Sequence, residues 1–269
     1  MGQNIINALI AIVPIALILG AALAFISLKF AVRENKKAKE IRAFLPSVNC
    51  GSCGFAGCDD YALAIAEGRA EPNLCVPGGE EAAESIGAYL GIEVVVPEST
   101  VAFVHCNGHC EAAAKKAVYD GISSCRAAAM LYGGPDACTF SCIGFGDCAE
   151  KCPQNAICVK DGIAHIDSSL CIGCGICASV CPKKVISLVP RNDATAVMCS
   201  NKDKGADARK ACNNACIGCG KCAKTCKKGA IKIENNLAHI DYAKCNGCGE
   251  CTEACPIGCL KRFDFSAKK

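Results

Sequence analysis

An α+β fold of small metal-sulfur domains, strung behind one apolar N-terminal helix, follows from three observations. Cysteine makes up 27 of the 269 residues. Its pattern repeats at an offset of 74 residues: Cys138, Cys142, Cys148 and Cys152 return as Cys212, Cys216, Cys222 and Cys226, and Cys171, Cys174, Cys177 and Cys181 return as Cys245, Cys248, Cys251 and Cys255. Residues 8–26, ahead of them all, form an unbroken apolar run. A repeat at a fixed offset is one structural unit copied along the chain. Cysteine at this density means disulfides, zinc or iron-sulfur clusters.

The N-terminal element comes first. No charge occurs between Gly2 and Leu28, and residues 8–26 are long enough to cross a bilayer once as a helix. Pro14 is tolerable there with a kink. Lys29, Arg33, Lys36, Lys37, Lys39 and Arg42 follow the run, and no basic residue precedes it. A cleaved signal peptide would have the opposite charge order. The positive-inside rule therefore places the cysteine domains on the cytoplasmic side of a cell membrane. A reducing compartment also keeps thiolates free for metal. Residues 30–45 read as a helix that stops before Pro46.

Next come Cys50, Cys53, Cys58 and Cys75, the first three spaced by Gly51, Gly54 and Gly57. Four cysteines in this arrangement suit one 4Fe-4S cubane. Asp59 to Glu67 reads as a short helix ended by Gly68.

The runs Cys171-Ile-Gly-Cys174-Gly-Ile-Cys177-Ala-Ser-Val-Cys181-Pro182 and Cys245-Asn-Gly-Cys248-Gly-Glu-Cys251-Thr-Glu-Ala-Cys255-Pro256 have bacterial ferredoxin spacing. In it the first three cysteines hold one cubane and the fourth holds its neighbour. Zinc ribbons instead separate two knuckles by roughly 15 to 20 residues. Phe145 stands where Cys219 stands in the second copy, so Cys138 is expected to replace the missing ligand. The expected groups are Cys138, Cys142, Cys148 and Cys181; Cys171, Cys174, Cys177 and Cys152; Cys216, Cys219, Cys222 and Cys255; and Cys245, Cys248, Cys251 and Cys226. Ala156 to Val159 and Ile163 to Ile166 flank Asp161-Gly162, a hairpin turn signal. Gly144 to Ala149 matches a dinucleotide fingerprint but lacks any strand before it, so it is not one.

Seven cysteines remain. Cys106, Cys125, Cys199 and Cys212 could hold a sixth cluster, with Cys110 competing for the role of Cys106. Zinc at His105, Cys106, His109 and Cys110 is the bland alternative. Cys158 and Cys259 lack repeat mates and read as packing residues. Five clusters are thus expected firmly and a sixth beside them, with no flavin, NAD or haem on the chain. The formal charge of +3 counts every thiol as neutral. Six cubanes at about −2 each would bring it to about −9, which gives no support to a nucleic-acid partner.

The expected order is a transmembrane helix (1–28), a juxtamembrane helix or linker (29–46), a four-cysteine 4Fe-4S domain (47–97) and a helical connector with candidate ligands (98–135). A first ferredoxin unit of two 4Fe-4S clusters (136–190), a linker with a candidate ligand (191–211), a second such unit (212–262) and a tail (263–269) complete it.

This combination resembles the B subunit of the Rnf complex, the membrane ferredoxin:NAD oxidoreductase that couples electron flow to sodium or proton translocation. The most specific parts are the apolar run followed by Cys50-Gly-Ser-Cys53-Gly-Phe-Ala-Gly-Cys58, and Gly133-Gly134-Pro-Asp-Ala-Cys138 leading into Cys142-Ile-Gly-Phe-Gly-Asp-Cys148. Two ferredoxin units resemble the long forms found in anaerobes. The resemblance implies an electron-entry component of a translocase. Its donor would be soluble ferredoxin, and its partners the membrane and flavin-bearing subunits. No catalytic residue of its own is expected. A polyferredoxin component of a membrane hydrogenase or other dehydrogenase is the alternative reading.

Overall fold

The computed structural model describes residues 13–25, 35–95 and 98–264. The expected span of residues 8–26 lies partly outside them. Residues 13–25 are helical (α1), and every side chain in that stretch is exposed. Among the described residues no helix is long and apolar enough to cross a membrane.

Three helices build the next layer: α2 (Lys36–Ala43), α3 (Cys58–Ala66) and α4 (Gly79–Leu90). Asn35 caps α2, its side chain accepting from the Ala38 N–H. Gly91 ends α4 in the left-handed conformation. Ile41 of α2, Tyr61 and Ile65 of α3, and Ile86 of α4 form one buried cluster. The basic segment expected as a juxtamembrane helix or linker packs on the four-cysteine domain through Ile41, and Arg42 bonds Asp59 at 2.9 Å.

The rest of the chain is two similar halves. The first runs β1 (Thr100–Val104), α5 (Cys125–Met130), α6 (Asp147–Glu150), β2 (Ile157–Lys160), β3 (Ile163–Ile166), α7 (Ile176–Val180) and β4 (Ile186–Pro190). The second runs β5 (Asp193–Val197), α8 (Gly205–Ala211), α9 (Lys221–Thr225), β6 (Ile231–Glu234), β7 (Leu237–Ile240), α10 (Glu250–Glu253) and β8 (Leu260–Asp264). Each half has a hairpin, β2–β3 or β6–β7, and an outer antiparallel pair, β1–β4 or β5–β8, that joins its first strand to its last. Both hairpins turn on two residues with positive φ, Asp161-Gly162 and Asn235-Asn236.

Two expectations change here. Residues 98–135, expected as a helical connector, open with a buried strand, β1, and only Cys125–Met130 is helical. Residues 191–211, expected as a linker, supply β5 and α8. The cause is long-range pairing: the partners of β1 and β5 are β4 and β8, each at the far end of a ferredoxin-like unit, which no local periodicity reports. Val101, Phe103, Val189, Ala194 and Ala196 then join the two outer pairs in one buried seam, with Phe103 edge-on to Phe263 at 4.9 Å.

Glycine sets the closest backbone approach. Gly144 and Gly218, repeat mates with φ of +83° and +63°, lie under the hairpin turns. A Cβ on Gly218 would sit 2.8 Å from the Asn236 carbonyl oxygen, and one on Gly144 would overlap the Gly162 carbonyl. Left-handed φ alone costs an alanine about 1–2 kcal/mol. Gly144→Ala and Gly218→Ala are each expected to cost the adjacent cluster, about four iron atoms per chain by elemental analysis. Gly68→Ala, with the same φ sign but open space around it, should keep its iron.

Candidate metal centres

The ligand loops hold four cysteines at a time around small spaces. Cys75 lies against Cys58, Cys50 and Cys53, and burial first, then those neighbours, raise its thiol. Local bonds fix this loop: Asn49 accepts from the Cys58 N–H at 2.8 Å, and the Tyr61 hydroxyl donates to Glu71 and accepts from the Leu74 N–H. Cys152, Cys171, Cys174 and Cys177 line one cavity. The Ala156 N–H points at the Cys152 sulfur, and those of Ala102 and Gly173 at Cys171, all within 3.5 Å. In the second half Cys216, Cys219, Cys222 and Cys255 line another cavity. Burial and then Cys216, Cys255 and Cys219 push the Cys222 thiol up to about 11. Burial, then Cys245 and Cys226, also raise Cys251, which shares a ligand run with Cys248.

Two positions differ from the expected grouping. Beside Cys142, Cys148 and Cys181 the structure places Cys125, not Cys138. Burial and then Cys142, Cys125 and Cys181 push Cys148 up to about 12. Asp147 is the reason. Its carboxylate accepts from the Cys125 N–H at 2.8 Å, the Arg126 N–H at 3.0 Å and the Ser124 hydroxyl at 2.9 Å, which ties the start of α5 to the start of α6. Cys125 thereby fills the place that Phe145 leaves empty. Cys138 instead joins Cys106, Cys199 and Cys212 around a central cavity that also meets Asn201 and Gly108. The Asn201 side chain donates to the Cys138 sulfur at 3.3 Å.

The central group is assembled in pairs. Cys106 follows β1 and Cys199 follows β5, while Cys138 and Cys212 are repeat mates. Cys106 accepts from the N–H groups of Gly108 and Cys142, and Cys199 from those of Asn201 and Cys216. Each half therefore contributes two sulfurs and one ligand-loop N–H. Burial drives the Cys106 thiol up to about 12 and Cys199 up to about 11. Of the rivals for this site, Cys110 is exposed. His105 contacts the Val197 carbonyl and Ser187 with its two ring nitrogens at 2.7 and 2.6 Å, so neither nitrogen is spare for zinc.

Four thiols with N–H donors aimed at their sulfurs are the donor set of an iron-sulfur cluster. Among the described residues no three such side chains converge tightly enough for a single metal ion. Cys259, read as packing, is fully buried, but its sulfur lies 3.6 Å from that of Cys255. It also donates to Cys216, and that hydrogen bond lowers the Cys216 thiol.

Neighbouring quartets adjoin in one order. Cys50 lies near Cys174, and the Ser52 hydroxyl bonds the Cys174 carbonyl. Cys177 lies near Cys148. Cys142 and Cys216 each contact the central group through the N–H···S bonds above. In the second half Cys222 and Cys226 sit four residues apart along α9 and its C-cap.

Comparison with known proteins shows iron-sulfur domains in this chain. Family models match three stretches: a putative Fe-S cluster at residues 45–77, a 4Fe-4S binding domain at 164–187 and a 4Fe-4S dicluster domain at 215–259. The B subunit of a proton-translocating ferredoxin:NAD(+) oxidoreductase complex from Clostridium ljungdahlii is 45% identical, over 89% of this chain and 85% of its own length. The chain belongs to the B-subunit family of ion-translocating ferredoxin:NAD oxidoreductase complexes. Its counterpart in the Na(+)-translocating complex from Acetobacterium woodii is 41% identical over 85% of this chain and 69% of its own. The one in an ion-translocating oxidoreductase complex from Methanosarcina acetivorans is 37% identical over 91% and 93%. In this chain, Cys106, Cys125, Cys138, Cys199 and Cys212 fall outside the three matched stretches.

Proposed function

We propose that this chain carries electrons from reduced ferredoxin to its partner subunits along six 4Fe-4S clusters, within a complex that moves Na+ or H+. The observation that carries the reading is the unbroken adjacency of six cysteine quartets. Such a cluster, when bound, supplies reversible one-electron transfer. The ligand sets are Cys50, Cys53, Cys58 and Cys75; Cys152, Cys171, Cys174 and Cys177; Cys125, Cys142, Cys148 and Cys181; Cys106, Cys138, Cys199 and Cys212; Cys216, Cys219, Cys222 and Cys255; and Cys226, Cys245, Cys248 and Cys251. The chain's own part is spacing, dryness and hydrogen bonds to sulfur, which together set potential.

A bilayer anchor belongs to the same proposal. Ile15, Leu17, Ile18, Leu19, Leu23 and Phe25 are each more than half exposed on α1, apolar on every side. A helix that is hydrophobic all round requires an apolar environment, and basic residues follow this one on the side proposed as cytoplasmic. Flavin and nicotinamide chemistry is assigned to the partners.

The test is anaerobic. The purified full chain should carry about 24 iron and 24 sulfide. It should also bleach when mixed with reduced ferredoxin. Abundant zinc with little iron, or an iron-loaded chain that ferredoxin leaves oxidised, would overturn the proposal.

A further inference from the structure

The repeat allows each half to act as the other's control, and their surfaces differ in charge at matched positions. Where the first half has Asp147, Glu150 and Gln154, the second has Lys221, Lys224 and Lys228. All three lysines are exposed. Lys221 and Lys224, three residues apart on α9, share one helix face, and Lys228 follows within the next turn. Lys227 is exposed beside them and pairs with Glu250 at 2.9 Å. None of the other three forms an ion pair among the described residues.

Exposure of the ligands differs in the same sense. Of the quartet cysteines only Cys219 and Cys248 are exposed, and both lie in the second half. Their mates are covered: Phe145 packs on Tyr119 with ring centroids 5.4 Å apart, and Cys174 lies beneath Ser52. Electron transfer between proteins needs a cluster near the surface, and the exposed Cys219 and Cys248 would hold their clusters there. The Cys248 side carries Glu250 and Glu253, whereas the Cys219 side leads directly into the lysines of α9.

We infer that the α9 face of the second half, bounded by Cys219, Lys221, Lys224 and Lys228, is the docking surface for a small acidic one-electron carrier. This rests on the electron-transfer reading above and adds the place of entry. Complementary charge steers such an encounter and raises its rate by roughly 10- to 1000-fold at low salt. The N-terminal quartet, which follows α1 in the sequence, is first in the order of quartets, whereas the Cys219 quartet is fifth of six.

The experiment uses the iron-loaded full chain and a reduced two-cluster ferredoxin of net negative charge. For the variant Lys221→Glu, Lys224→Glu, Lys228→Glu, the second-order rate of reduction should fall about tenfold or more at low ionic strength, with the difference closing in high salt. Reduction by titanium(III) citrate and iron content should not change. Carbodiimide cross-links from ferredoxin carboxylates should map to these lysines in the wild type. The control Lys36→Glu, Lys37→Glu, Lys160→Glu has the same net charge and should keep the wild-type rate. A triple variant that keeps the rate and its salt dependence would overturn the docking site while leaving the electron-transfer reading intact. So would lysines whose loss abolishes binding to phosphatidylglycerol vesicles without slowing ferredoxin. A wild-type chain that ferredoxin cannot reduce would overturn both.

Discussion

Cys138→Ser and Cys212→Ser are each expected to remove one cluster, and the double variant to remove no more than either alone. Iron would fall from about 24 to about 20 atoms per chain in all three. Residues that ligate one site act as a unit, so their losses do not add. Pairing Cys138→Ser with Cys125→Ser should instead remove two clusters and leave about 16 iron. The Cys138→Ser, Cys212→Ser double variant separates the observed grouping from the one that spacing suggested, in which Cys138 and Cys212 serve different sites and their losses add. The functional consequence is larger than one lost centre. The central quartet takes two sulfurs from each half and touches the ligand loops of both through the Cys142 and Cys216 N–H groups. Without it, the second half should still be reduced by ferredoxin in milliseconds to seconds, while the first half and the N-terminal quartet stay oxidised. Freeze-quench electron paramagnetic resonance would resolve the two populations. Full reduction of all remaining clusters at the wild-type rate would mean that the halves communicate by another path.

Much of this site could be read from cysteine spacing alone. Ferredoxin runs enforce their own geometry, since three thiolates in one tight loop must face one cube. The four-cysteine group at Cys50 to Cys75 and the Asp161-Gly162 hairpin were legible for the same local reason. The exchange of Cys125 and Cys138 was not local. Phe145 in place of Cys219 signals a missing ligand without saying which cysteine replaces it. A usable signal was nevertheless present. Cys138 and Cys212 are mates, and mates do the same work, so a surplus Cys212 implied a surplus Cys138. Asp147 in place of Lys221 was the second signal, since a carboxylate at that position can hold the start of α5 and an ammonium cannot. Strands β1 and β5 were illegible because their partners lie far along the chain.

Removing iron is expected to unfold residues 136–262 and to spare part of the N-terminal helical layer. The largest buried cluster contains fourteen residues, of which six are cysteine and four alanine; only Val197, Ile231, Leu237 and Leu260 bring sizeable aliphatic side chains. Helices α6, α7, α9 and α10 have four or five residues each, well below the length at which a helix stands alone. Hairpins of four-residue strands are marginal too. Burial raises many of the thiols, so the metal-free quartets are left as close-packed, poorly solvated S–H groups with no bond between the segments that carry them. Metal binding energy is then folding energy, as in other small metallo-domains. By contrast, the N-terminal helical layer buries Ile41, Leu45, Tyr61, Ile65 and Ile86 together, and only Cys58 and Cys75 of that eight-residue cluster carry sulfur. Hydrogen exchange after anaerobic chelation should therefore show protection lost throughout 136–262 and partly retained at Tyr61 and Ile86. Protection that persists across the ferredoxin-like halves would show that the four outer strands and their seam of Val101, Phe103 and Val189 hold the fold without metal.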